Sequence, residues 1–124
     1  MSTGIFVARH CHYRQSDGRL SEEGRLQAAA IAAKLAGERI GLILHSPSLR
    51  CEETARIVWE CMGCSPNIGS VDWLCEDAEH SEGLPGCPGG GVLLVTHAPV
   101  VRRMTSRVEA ACFGEVTRLD RLPA

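Results

Sequence analysis

Two histidines of this chain stand directly after short apolar runs: His10 follows Arg9 at the end of residues 4–8, and His97 follows Thr96 at the end of residues 92–95. A third apolar run, residues 40–44, leads within a few positions to Ser46-Pro47 and then to Arg50. Imidazole is a nucleophile and proton carrier near neutral pH. Guanidinium presents a rigid, permanently charged fork that matches the oxygens of a phosphate, where Lys offers only a point charge. Twelve of the thirteen basic residues are Arg. Together these residue types point to phosphate chemistry.

Residues so far apart in sequence meet only if the fold gathers them. Residues 4–8, 40–44 and 92–95 are apolar at consecutive positions, the pattern of strands buried on both faces. Ser21 as N-cap, with Glu22 and Glu23 in the first turn and Leu26, Ala30 and Ala33 beside Ile31 and Leu35, predicts a helix closed by Gly37. Ser46 as N-cap and Pro47 at the first helical position predict a second helix, running to Gly63 with Arg50 in its first turn. A short strand is expected at residues 70–74, a helix from Pro99 to about Val108, and an edge strand within residues 114–122. Residues 76–91 are acidic and then rich in Gly and Pro, which predicts a loop.

Strands alternating with helices imply an α/β fold, a three-layer α/β/α sandwich with a mostly parallel central sheet. In such sheets ligands bind beyond the carboxyl ends of the strands. That rule sets Arg9, His10, Ser46, Arg50 and His97 along one rim.

At 124 residues the chain has room for one domain, read as spanning 1–124. Its net charge of −2 and its dispersed arginines argue against a nucleic-acid or membrane-surface partner. The apolar runs are far shorter than a membrane span, and residues 1–10 lack the pattern of a signal peptide. A cytoplasmic setting is therefore expected, with the seven cysteines as thiols. Cys61-Met62-Gly63-Cys64 has zinc-like or redox-like spacing, and Cys75, His80 and Cys87 could complete a set. Yet Cys61 fits the apolar face of its helix and no second tight ligand pair exists, so no metal is expected. His45 and His80 read as structural or solvated, and Arg102 and Arg103 as surface residues. His12 is near the rim in sequence.

Four segments together resemble the histidine phosphatase superfamily, which is phosphoglycerate mutase-like in fold, and most closely its short bacterial phosphohistidine phosphatase branch. They are Val7-Ala8-Arg9-His10, Leu20 to Ala28 as a Leu-Thr-x-x-Gly-x-x-Gln-Ala helix opening, Ser46-Pro47-Ser48-Leu49-Arg50-Cys51-Glu52-Glu53-Thr54-Ala55, and Leu94-Val95-Thr96-His97-Ala98-Pro99. The resemblance implies that His10 is the nucleophile and that Arg9, Arg50 and His97 form a phosphate pocket, with no cofactor. It implies a general acid between the Arg50 helix and the His97 strand, for which Glu76 is the nearest match and Asp77, Glu79 and Glu82 compete.

The implied function is a metal-independent phosphatase working through a phosphohistidine intermediate, on a phosphohistidine protein or a small phosphomonoester. Cys11 stands where the family has Gly, and its side chain is expected in space where the backbone would approach phosphate. Residues 84–91 stand where relatives carry helical insertions, which implies an open wall able to admit a phosphoprotein. The alternative is a non-catalytic phosphate- or phosphoprotein-binding module derived from this fold.

Overall fold

In the computed structural model, which describes residues 4–83 and 90–121, the apolar runs become strands whose alternate side chains fill two separate cores. The order is β1 (Ile5–Arg9), α1 (Glu22–Lys34), β2 (Ile40–His45), α2 (Leu49–Cys61), β3 (Asn67–Ser70), a 3-10 turn (Asp72–Leu74), β4 (Gly91–Thr96), α3 (Ala98–Thr105) and β5 (Val116–Leu119). The strands form one sheet in the order β3-β2-β4-β1-β5. All pairings are parallel except β5, which runs antiparallel along β1.

Side chains of Phe6, Ala8, Ile43, Leu93 and Val95 point to one face, where Ala28, Ile31, Ala32 and Leu35 of the first helical segment and Cys51, Ala55 and Val58 of α2 cover them. Val7, Leu42, Leu44, Val92 and Leu94 point to the other, against Val100, Val101 and Met104 of α3 and the buried Trp73 and Leu74. Two-sided burial explains why these strands read as unbroken apolar runs. The three-layer α/β sandwich with a mostly parallel sheet is the architecture observed.

Four local features differ from expectation. The buried stripe of α1 is Gly24, Ala28, Ile31 and Ala32, continued by Leu35, whereas Ala30 and Ala33 are exposed and Leu26 is 70% exposed. A helix this rich in alanine carries little periodicity of its own, so a contact elsewhere sets its rotation. That contact is at Gly24, where an added Cβ would lie 1.9 Å from the His12 carbonyl oxygen. Second, α2 is capped by Ser48, whose hydroxyl accepts from the Cys51 amide at 3.4 Å, and not by Ser46.

Third, the strand expected at residues 70–74 lies at Asn67–Ser70 instead. Its register against β2, from Leu42 with Asn67 to His45 with Ser70, ends there, and the apolar Trp73 and Leu74 turn down into the core. Fourth, α3 stops at Thr105 because Ser106 takes a left-handed conformation with φ of 56°, which leaves Val108 83% exposed. The expected edge strand is the shorter β5. Residues 84–89, including Cys87 and most of the segment read as an open wall, lie outside the described residues, as does Leu122.

Replacing Gly24 by Ala forces α1 off the backbone of residue 12. We expect Gly24→Ala to cost about 1–3 kcal/mol, the usual range for overpacking, measured as a lowered urea midpoint; an unchanged midpoint would contradict the close approach.

Candidate active site

The carboxyl ends of β1, β2 and β4 open onto one rim. Parallel register places Arg9 beside Thr96 and His45 beside Val95. The ladder then runs one step past the strands: the His10 amide donates to the Thr96 carbonyl at 2.9 Å, and the Ser46 amide donates to the Val95 carbonyl at 3.0 Å. Those two bonds hold His10, His97 and Ser46 side by side. The first turn of α2 brings Arg50 over them.

Arg50 joins the two imidazoles. Its Nε donates to His10 Nε2 at 3.3 Å, and its Nη2 lies 3.5 Å from His97 Nδ1. The rings of His10 and His97 are 5.3 Å apart, edge to face. Guanidinium can only donate, so both of those ring nitrogens carry lone pairs. The protons then sit on the opposite nitrogens: His10 Nδ1 donates to the Cys11 carbonyl at 3.1 Å, and His97 Nε2 donates to the Ser46 hydroxyl at 3.0 Å. His10 thus presents a lone pair on the nitrogen that faces Arg50, and its backbone bond fixes that tautomer.

Electrostatics favour the same form. Burial is the largest influence on His10, which is 3% exposed, and outweighs the Cys11 hydrogen bond; with the nearby His97, Arg50 and Arg9 it lowers the pKa to about 4. Burial and then Arg50 also lower His97, against the opposing pull of Glu76. Both imidazoles are neutral at pH 7. Arg9 is held by neutral groups: Nη1 donates to the Ala111 carbonyl at 2.8 Å, and the guanidinium carbon lies 4.0 Å from the centre of the Phe113 ring. Its Nε is buried with no hydrogen-bond partner among the described residues.

Of the four candidate acids, Glu76 reaches this cluster, its Oε1 accepting from Arg50 Nη2 at 3.4 Å. The carboxylate is 62% exposed, so the pair contributes little to stability. The segment that carries Glu76 is anchored just before it, where the Thr96 hydroxyl donates to the Leu74 carbonyl at 2.6 Å. Asp77, Glu79 and Glu82 are exposed.

Cys11 does not occupy the pocket, contrary to expectation. Its side chain is wholly buried among Ala8, Leu20, Ala28 and Ile31, and its amide donates to the Thr54 hydroxyl at 3.0 Å. Burial pushes its thiol up to about 11. His12 is tied to α1, its Nδ1 2.7 Å from the Ser21 hydroxyl and its amide donating to Gln27 at 2.8 Å, and its ring meets Phe113 edge to face at 5.4 Å. Cys61 and Cys64 are exposed at the far end of α2, and no group of three His, Cys, Asp or Glu is placed to hold a metal ion among the described residues.

Sequence reasoning passed over two residues that line the site, Tyr13 and Phe113. His10 packs against both rings, with centroids 5.4 and 5.7 Å away. The one signal was scarcity: the chain has a single Tyr and two Phe, and the Tyr stands three positions after His10.

Against known proteins, the family model of the histidine phosphatase superfamily (branch 1) matches residues 6–86. A comparison with curated proteins finds no match. Among solved structures, the SixA protein of Agrobacterium tumefaciens, assigned as a phosphohistidine phosphatase, superposes with a TM-score of 0.71 at 22% identity over 100% of this chain and 97% of that one. The protein histidine phosphatase SixA complexed with tungstate gives 0.69 at 19% identity, over 97% and 96%. Mycobacterial glucosyl-3-phosphoglycerate phosphatase complexed with VO3 gives 0.65 at 16% identity, over 94% and 90%. These likenesses establish a phosphoglycerate mutase-like fold.

A buried neutral histidine makes stability depend on pH. Between its folded pKa of about 4 and its ordinary 6.5, His10 binds more protons in the unfolded chain. Its contribution is fully present above pH 6.5 and is lost as the pH falls toward 4. We expect the urea midpoint to drop across that window and the His10 ring, followed by NMR, to stay unprotonated at pH 5.5; a protonated ring there would contradict the assigned tautomer.

Proposed function

We propose, from the fact that the chain belongs to the histidine phosphatase superfamily, that it is a metal-independent phosphatase whose nucleophile is His10. The observation that carries this reading is one guanidinium touching both imidazoles, Arg50 at 3.3 Å from His10 Nε2 and 3.5 Å from His97 Nδ1, with Arg9 on the adjoining strand end. In-line phosphoryl transfer needs positioning and positive charge around the equatorial oxygens more than covalent chemistry. Arg9, Arg50 and His97 supply that environment.

In the first step the Nε2 lone pair of His10 attacks phosphorus, and the bond from phosphorus to the leaving group breaks. Glu76, entering this step in its protonated form, gives that proton to the departing atom and is left as the carboxylate. In the second step Glu76 takes a proton from water, the water oxygen attacks phosphorus, and the P–N bond breaks to release phosphate and restore neutral His10. The low pKa of His10 keeps the attacking nitrogen unprotonated at neutral pH. The amino end of α2, which Ser48 caps, lies beside Arg50 and adds the positive end of its dipole.

The substrate class we favour is a phosphohistidine protein, with a small phosphomonoester second. An imidazole leaves phosphorus with less help than an alkoxide, which suits an acid as exposed as Glu76. Matched lengths with the SixA structures lend the same support.

Incubation with labelled acetyl phosphate or a labelled phosphohistidine protein should give an acid-labile phosphoenzyme in the presence of EDTA; label that persists in His10→Ala would sink the mechanism. Arg50→Ala should lower kcat/KM by about 10³-fold, the lower range seen for transition-state arginines. Glu76→Gln should slow hydrolysis of an alkyl phosphate at least tenfold more than that of an aryl phosphate with a good leaving group, since proton donation contributes about 10²–10⁴-fold where it is needed. Equal losses on both esters would remove Glu76 from the role of acid.

A further inference from the structure

We propose that Tyr13 and Phe113 are positioning residues, each holding one arginine of the phosphate clasp on the face of its ring. The inference rests on the reading of Arg9 and Arg50 as phosphate ligands. The guanidinium carbon of Arg9 lies 4.0 Å from the Phe113 centroid, and that of Arg50 lies 4.8 Å from the Tyr13 centroid. Both distances are within the range of cation–π attraction. The two rings meet edge to face with centroids 6.4 Å apart, and both pack on His10.

The arrangement answers a physical problem. Two guanidinium groups must be held beside a neutral imidazole without losing the charge that attracts phosphate. A carboxylate would fix an arginine and cancel its charge; Arg50 meets one only at the exposed Glu76, and Arg9 meets none among the described residues. An aromatic face fixes it through the ring quadrupole and leaves the charge whole. Arg9 is held by the Phe113 ring and the Ala111 carbonyl, both neutral.

Each ring is itself pinned. Tyr13 bridges antiparallel to Leu20. Phe113 precedes Gly114, whose φ of 73° suits glycine and whose amide donates toward the Arg9 and His10 carbonyls at 3.2 and 3.3 Å. The segment after β1 therefore carries a ring to Arg50, and the segment before β5 carries one to Arg9.

Tungstate affinity, measured by calorimetry alongside thermal melting, separates positioning from mere packing. Phe113→Leu and Tyr13→Leu keep apolar bulk but lose the ring, and each should weaken tungstate binding by roughly tenfold, within the range of cation–π attraction. Phe113→Tyr and Tyr13→Phe keep the face and should bind within about twofold of the wild type. Leucine variants that bind tungstate normally, or ring-retaining variants that lose affinity as leucine does, overturn the proposal. If one leucine variant does not fold, the other variant of the pair and the two ring-retaining variants decide the matter. Wild-type protein that binds tungstate but forms no phosphoenzyme overturns the catalytic reading and leaves the positioning role to these variants; wild-type protein that binds no tungstate overturns both.

Discussion

The hydrogen bond from the His10 amide to the Thr96 carbonyl is the last rung of the ladder between β1 and β4, and the functional geometry hangs from it. It sets the first residue past β1 beside the first residue past β4. A shift of one position would exchange the faces of either strand, because side chains alternate along it. Val7 and Ala8 would trade cores, as would Leu94 and Val95. The packing of both cores therefore fixes the register that brings the two imidazoles together. Stability and site geometry are here the same constraint.

Around that rung, charge is distributed unevenly. Both histidines are neutral and buried, while Arg9 and Arg50 keep their charge at the rim. The ring protons of the histidines are spent on the Cys11 carbonyl and the Ser46 hydroxyl, and their lone pairs face Arg50. Thiols fill the space behind: Cys51 lies 3.6 Å from His97, and burial pushes it up to about 11, so it stays an uncharged packing group. An anion arriving at this rim meets donors and positive charge, with one exposed carboxylate, Glu76, touching Arg50.

The strand ends were legible in the sequence because fold and chemistry coincide there. An unbroken apolar run marks a buried strand, and a polar residue directly after it has to face the carboxyl rim. His10 and His97 were found that way, and Arg50 in the first turn of the helix that follows the third run; the structure brings the three together. Less visible was anything set by a contact between segments of weak pattern. The rotation of α1 follows from Gly24 meeting the backbone of residue 12, which no periodicity in an alanine-rich stretch reveals. Ser46 and Ser48 are equally good caps by composition; Ser48 takes the helix, while the Ser46 hydroxyl accepts from His97 and from the Ser48 amide. Phe113 sits in an irregular stretch before β5, where sequence pattern says little, and only the turn at Gly114 carries its ring to Arg9.

Long-range parallel pairing also determines when the rim comes into being as the chain folds. Every joint of the rim links segments that are distant in sequence: β1 to β4, β2 to β4, and the first turn of α2 to both histidines. Loop-closure entropy has to be overcome before such contacts return any stabilisation, so topologies of this kind fold slowly for their size. During synthesis β1, α1, β2 and α2 emerge first, with the central position between β2 and β1 still open. Until β4 enters it, the facing edges of β1 and β2 remain unpaired, a period of exposure to misassociation. The sixth residue of β4 closes the gap between β2 and β1 and the residue after it is His97, so joining the two halves of the sheet and setting the second imidazole in place are a single event.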